Sequence, residues 1–587
     1  MKIALRPLHR EGGYVLLLTL CFLAIMLAIL ASASRLTYTQ VGITYRNNLH
    51  NSAVAAAEAA TEMVIARMNR DFLHQSVNPD LDVYRSLTPE SLQSEWPLQF
   101  EFGDGDGAPG VTGVESLGPA VVTNLNSQFA GLYGLVTPYR VTSTARTRDG
   151  LHTVAATVVQ DIQLASIPVF QFAIFYTLDL EINPGPKMVV TGKVHSNGDI
   201  YTAPVSGLEY KDTVTAVGRI HHDRHPDDPQ YGAGKVEPDY GAQHMEKVSA
   251  LTLPVGTDND PDTVREILKT PPVSEDPNSL MARQRYFNKA DLIVKTTDSG
   301  VELYTGAWNL FGKIPPNVTN GSGPGYSFLK TDVTFRDLRE NKWTTTTQID
   351  VAAFNEWLRD PDGGAGINSM ASYLMGHGIN SIYVDDQRDS PSRLTCVRVV
   401  NGESLPPDGL TVATDRPLYV KGHFNLNDGD TTPGQTDTSK TKPASLVGDA
   451  ITILSSAYND NYAGSDFKNN RVAVDTTVNA AFLGGIVKTQ RKGNAKYYSG
   501  GAENFPRFLE NWSGRTFTYN GSMVVMFESK YATNFWKEPS DRNYYQAPNR
   551  AWAFDLNFLD QSKLPPGTPQ VRKLVRGQWA LAAPPGQ

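Results

Sequence analysis

Gly12-Gly13-Tyr14-Val15-Leu16-Leu17-Leu18-Thr19-Leu20, continued by unbroken apolar sequence to Ala33, decides how this chain is built. Tyr14 to Ala33 holds no charge and no proline. About 20 helical residues at ~1.5 Å each cross a hydrocarbon core of ~30 Å. The composition therefore predicts a transmembrane helix over 14–34. Lys2, Arg6 and Arg10 precede it against a single Glu11. The positive-inside bias then leaves 1–13 in the cytoplasm and sends the remainder of a single-pass protein across the membrane.

The helical pattern does not stop at the membrane surface. Leu36 to Phe72 contains no proline and one glycine, Gly42, and it includes Ala53-Val54-Ala55-Ala56-Ala57-Glu58-Ala59-Ala60, rich in helix formers. Ala53, Ala57, Ala60, Val64 and Met68 recur at spacings of three and four, which makes one apolar packing stripe. The spacing predicts an extended amphipathic helix over 35–72, continuous with the membrane span. Together they give roughly 59 residues, or about 88 Å.

A basic leader ending in Gly13, an apolar segment starting at Tyr14, and the Ala-Ala-Glu-Ala-Ala cluster from Ala56 to Ala60 resemble the N-terminus of type IV pilins and pseudopilins, most closely PilX-type minor pilins. That resemblance implies cleavage by prepilin peptidase after Gly13, methylation of the new terminus on Tyr14, and packing of the exposed helix into a filament. The implied partners are other pilins or pseudopilins, the peptidase and an inner-membrane assembly platform, with the head periplasmic or extracellular after assembly. In bulk pilins the fifth mature residue is a glutamate, whereas this chain has Leu18. The departure favours a minor or tip component of a type IV pilus or a type II secretion apparatus. A second reading of the same segment is a plain anchor or secretion signal, because Ala31-Ser32-Ala33 is an A-x-A site.

Beyond the helix the composition is that of an exported globular head. The chain has 587 residues, 40% hydrophobic and 19% charged, enough for more than one core. A net charge of -8 argues against nucleic acid as a general partner. Cys21 lies in the apolar helix and Cys396 stands far from it, so the sequence predicts no internal disulfide.

After Phe72 the pattern turns to strands. Tyr139 to Ala145 and His152 to Val158 flank Asp149-Gly150, a pair that favours a tight hairpin turn. Residues 73–180 are thus expected to form a pilin-like sheet on the alanine stripe. From 181 to 587 short strands punctuated by glycine and asparagine, as in Met188 to Ile200, Leu418 to Asn425 and Val447 to Leu454, suit a β-solenoid or a sandwich, with no strict period visible. A mixed α/β insertion is expected at about 250–400, including an amphipathic helix from Val351 to Arg359. The predicted fold class is α+β: one long N-terminal helix and a mainly β head.

Candidate chemistry is sparse. His221, His222 and His225 are the weak metal candidates, since imidazoles beside carboxylates ligate zinc, but adjacent histidines converge only if the loop folds back. Asp104-Gly105-Asp106 and Asn425 to Asp430 lack the spacing of a calcium loop and read as turns. His195-Ser196 sets a base beside a hydroxyl on opposite faces of a strand. Glu503, Arg507 and Glu510 sit at helical spacing and read as a structural ion pair. With no nucleophile elbow, no phosphate loop and no His-Glu-x-x-His, the expectation is a non-enzyme without cofactor. Two function classes remain: a structural pilus or secretion component, and an envelope-anchored solenoid that binds or degrades polysaccharide.

Overall fold

One helix runs unbroken from Gly12 to His74, 63 residues in this computed structural model. The structure describes residues 12–74, 77–89, 99–125, 129, 131–147, 153–309, 311–320, 323–462, 470–536 and 544–584. The helix is long and apolar enough to cross a membrane. Its two halves differ in environment. Side chains from Tyr14 to Asn48 are exposed, whereas Ala53, Ala57, Ala60, Val64 and Met68 are fully buried. The alanines let the helix backbone approach a sheet closely, against Phe100, Phe102, Ala145, Ala156 and Val158. One turn on, Val64, Ile65 and Met68 pack with Tyr84, Val114, Val141, Ile162 and Leu164.

That sheet is antiparallel. Its centre is the pair Tyr133–Thr147 and Ala155–Pro168, with Tyr139 opposite Ile162 and Ala145 opposite Ala156. The Asp149-Gly150 turn lies outside the described residues. Phe100–Gly103, Gly113–Ser116 and Val121–Asn124 pair with the outer edge of Tyr133–Thr147. The opposite edge corrects the expected division of the chain. Gln570–Ala582, placed by sequence in the 181–587 head, pairs along Ala155–Pro168, with Val571 opposite Ile167 and Leu581 opposite Val158. The head is therefore an insertion between two neighbouring strands of the helix-bearing sheet. It leaves after Pro168 and returns at Gln570.

The head is a three-faced parallel β-solenoid, and its first coils keep a period that the sequence reading missed. Ile174 stacks on Val194 and Val194 on Val214; Leu180 stacks on Ile200 and Ile200 on Ile220; Met188 stacks on Leu208. Each step is 20 residues, as the numbering of these pairs shows. The strands are only two or three residues long, so each coil buries few side chains per face and leaves a faint pattern. A longer excursion follows, and the next pairing sets Val214 against His244. Corners are tied by side chains at the same period. Asp179 Oδ1 accepts from the Asp199 amide at 2.8 Å, and Asp199 Oδ1 accepts from the Arg219 amide at 2.8 Å.

The chain enters this stack in its middle. Met523 pairs with Ile174, so the long solenoid strand Thr516–Glu528 lies directly against the first solenoid strand, Ile174–Tyr176. One wall consequently runs through parallel pairings from Leu292–Thr297 to Ser381–Asp386, Leu410–Thr414, Ala444–Gly448, Thr476–Ile486 and Thr516–Glu528, then through Ile174–Tyr176 to the 20-residue coils. A second wall stacks Lys342–Asp350, Arg393–Gly402, Leu418–Phe424 and Ile451–Leu454. The expected insertion at about 250–400 thus supplies the first coils of both walls, together with the helix Val351–Trp357. Residues 246–291 carry the chain back along the stack. They touch Asn197 through the Leu251 amide at 3.0 Å, then Asp449 through Arg265 at 3.0 Å, then Tyr383 through the Leu268 carbonyl at 2.5 Å. The architecture is α+β.

Candidate functional site

Sequence points first to the exposed half of the helix. Tyr14 is 84% exposed and Leu18 62%, and apolar side chains beyond them, such as Ile29, Leu36 and Val41, are exposed as well. Water solvates such a surface poorly, so it is a surface made to be covered. The packing stripe Ala53, Ala57, Ala60 and Val64 lies on the inner half and is occupied by the protein's own sheet. The C-terminal strand ties down this inner half. Arg576 Nη2 donates to Glu62 Oε2 at 2.7 Å, and Arg572 Nη1 donates to the Phe72 carbonyl at 2.6 Å.

The three candidate histidines do not converge. His221 Nε2 lies 2.9 Å from Asp199 Oδ2 and its ring stacks on Tyr201 at 4.6 Å. His222 pairs with Glu237 at 2.7 Å and reaches the Tyr240 hydroxyl at 3.2 Å. His225 Nδ1 accepts from the Asp227 amide at 3.1 Å, with its ring edge-on to Tyr201. Among the described residues no group of three His, Cys, Asp or Glu side chains is placed to hold a metal ion. The acidic loops are turns: Asp104 Oδ1 accepts from the Asp106 and Ala108 amides, and Asp430 Oδ1 from the Thr432 amide.

The other candidates fall apart in the same way. His195 Nδ1 meets Thr215 Oγ1 at 2.8 Å and Nε2 meets Asn197 Oδ1 at 2.9 Å, while Ser196 Oγ donates to the Leu178 carbonyl at 2.8 Å. Burial pushes the His195 imidazole down to about 4, so it is a neutral core group. Glu503, Arg507 and Glu510 share no helix face. Arg507 pairs with Glu340 at 2.8 Å, Glu510 accepts from the Ser455 amide and hydroxyl, and Glu503 accepts from the Asn183 amide. Burial raises the Cys396 thiol to about 12, which makes it inert at neutral pH.

One cluster gave no sequence signal. Glu181, on the strand Leu180–Ile182, accepts at Oε1 from Thr489 Oγ1 at 2.5 Å and Ser499 Oγ at 2.9 Å. Its Oε2 is buried without a hydrogen-bond partner among the described residues. Beside it Glu503 holds Asn183 and the Tyr498 hydroxyl. Burial pushes the Glu181 carboxyl up to about 8 and raises Glu503 too. The adjoining void, about 10 Å³, has room for one water. The cluster clamps the first coil onto residues 308 and 318 positions later in the chain. Partners so distant in sequence leave no motif.

No protein-family model and no curated protein matches the chain. Among solved structures, the competence-associated pilin ComZ from Thermus thermophilus aligns over 90% of this chain and 96% of its own, at 10% identity and a TM-score of 0.26. A score that low establishes no common fold.

Proposed function

We propose that this protein is a minor pilin or pseudopilin-like component of a type IV pilus or type II secretion apparatus, carrying a large solenoid head at or near the filament tip. The observation that supports it is the division of the single helix Gly12–His74 into an exposed apolar half and a half cemented to a sheet by an alanine stripe. A plain anchor needs only the first half. A helix that must pass from membrane to filament needs a rigid continuation that carries its head with it.

In this reading prepilin peptidase cuts after Gly13 and Tyr14 becomes the methylated terminus, as in PilX-type proteins. Other pilins then cover the exposed face, and an inner-membrane platform drives assembly. Leu18 at the fifth position offers no carboxylate to a neighbour's amino terminus, so a buried unpaired charge is avoided where no subunit lies ahead. Tip placement follows from that. Mass spectrometry of the mature N-terminus in cells with a prepilin peptidase is the test. The wild type should begin at Tyr14, and Gly13→Val should retain the leader and migrate more slowly. An intact terminus, or one cut after Ala33, rejects the reading. Gold-labelled antibody to the head should mark filament ends, and uniform shaft labelling rejects tip placement.

A further inference from the structure

A cleft of about 680 Å³ opens along one corner of the solenoid. Its floor is the turns that precede three successive strands of one wall: Asn380 before Ser381–Asp386, Asp408 before Leu410–Thr414, and Lys442 before Ala444–Gly448. The chain leading to the C-terminal strand, Asp555 to Gly567, forms the facing bank, and Lys289 closes one end. A second cavity of about 440 Å³ shares Lys289, Leu564 and Gly567 and adds Arg283 and Arg572. Both volumes lie in the range of ligand-binding clefts.

Charge in this cleft is unevenly spent. The carboxylates are used internally. Asp291 Oδ2 accepts from the Asn380 and Ser381 amides at 2.9 and 3.1 Å, Asp408 Oδ2 from the Gly378 amide at 2.7 Å, and Asp555 Oδ1 from Thr438 Oγ1 at 2.7 Å. The ammonium groups are not. Among the described residues Lys289, Lys442 and Lys563 form no salt bridge: Lys289 reaches Gln284 at 3.4 Å and lies over the Tyr286 ring at 5.7 Å from its centre, and Lys563 reaches Asn557 at 3.2 Å, with the Asp555 and Asp560 carboxylates close enough to feel its charge. Among the described residues the Asn380 side chain makes no hydrogen bond, although the residue is 8% exposed. A largely covered asparagine side chain and three cations without a salt bridge among the described residues, in a chain of net charge -8, leave donors for an acidic ligand.

We propose that this cleft binds an acidic glycan, a sugar chain bearing carboxylate groups. Lys289, Lys442 and Lys563 face its anionic groups, and the Asn380 amide takes a hydroxyl. The reading does not depend on how the helix is anchored or processed. Burial holds the Lys289 ammonium down to about 8, and an anion beside it would restore its charge. A nucleic acid is the poorer fit. Single strands bind on exposed aromatic rings that stack the bases, whereas of the Phe, Tyr and Trp side chains only Phe558 lines this cleft beside His377, and it is 2% exposed.

The test is calorimetric titration of the full chain in detergent micelles with tetragalacturonate, against maltotetraose, inorganic phosphate and a short oligothymidylate. Tetragalacturonate should bind, and each of the others should bind at least about tenfold more weakly. Lys442 and Lys563 are exposed, so Lys442→Glu with Lys563→Glu should leave the melting temperature unchanged and weaken tetragalacturonate about tenfold or more. Affinity should fall as pH rises from 7 to 9, and Lys289→Arg should remove that fall. No binding at millimolar tetragalacturonate, full binding by the double variant, or phosphate or oligothymidylate binding as tightly, overturns the proposal.

Discussion

Glu181 and His195 sit on neighbouring coil segments, and burial drives each to its neutral form, with opposite consequences for stability against pH. The His195 folded value near 4 lies below the ordinary imidazole value of 6.5. Its contribution is present above pH 6.5 and is lost as pH falls towards 4. The Glu181 folded value near 8 lies above the ordinary 4.5, so its contribution is present below pH 4.5 and is lost as pH rises through 8. Above about pH 7.5 His195 is neutral in both states, but Glu510 and Lys289, shifted by burial to about 7 and about 8, titrate in the same range, so the carboxyl is isolated by comparing variants. Its titration between pH 6.5 and 8 is worth roughly 2 kcal/mol, at ~1.4 kcal/mol per unit. Glu181→Gln keeps an acceptor for Thr489 and Ser499 but cannot ionise. The wild-type melting temperature should therefore fall from pH 6.5 to 8.5, and the variant should show a clearly shallower slope in thermal melts. Equal slopes would assign the dependence to Glu503 or to other groups.

At the scale of the element, the helix was legible because its signals are local. A charge-free run and a three-four stripe of alanines are properties of consecutive residues, and the stripe is where the sheet sits. The packing stripe makes a sharp prediction. Ala57 is fully buried against the sheet, while Ala55 is exposed two residues away. Ala57→Leu forces three extra carbons into a closed interface and should cost about 1–3 kcal/mol. Ala55→Leu should change stability by less than about 0.5 kcal/mol. Denaturant melts of the two variants check this, and an Ala57→Leu protein as stable as the wild type would mean that the helix does not seat on the sheet. The solenoid coils were only half legible. Glycine and asparagine punctuation betrayed their turns, but strands of two or three residues carry too few buried positions to display a period by eye, although Ile174, Val194 and Val214 keep it. The partners of Glu181 and of Arg507 were invisible for a different reason: hydrogen bonds and ion pairs between distant segments impose no spacing on either one.

At the scale of the whole molecule, what sequence concealed is that the chain's two ends close one sheet around everything between them. Gln570–Ala582 alternates weakly and buries Val571 and Val575, so nothing in it announced a partner near residue 160. This closure changes which part of the protein can be expected to stand alone. A chain beginning near Phe72 would lose Ala53 to Met68 and uncover Phe100, Phe102, Val141, Ala156, Val158 and Ile162 to water. A chain beginning at Arg46 sheds the exposed apolar half and keeps the packed one. The residue 46 start should purify as a monomer with one cooperative melt and resist protease. The residue 72 start should aggregate or bind a hydrophobic dye, because an apolar sheet face that size seeks another cover. Removing everything after Pro569 should have a related effect, since it strips the strand paired along Ala155–Pro168 and the Arg576 partner of Glu62. If the residue 72 chain instead melts at the same temperature as the residue 46 chain, the inner half of the helix is an appendage and the sheet is stable bare.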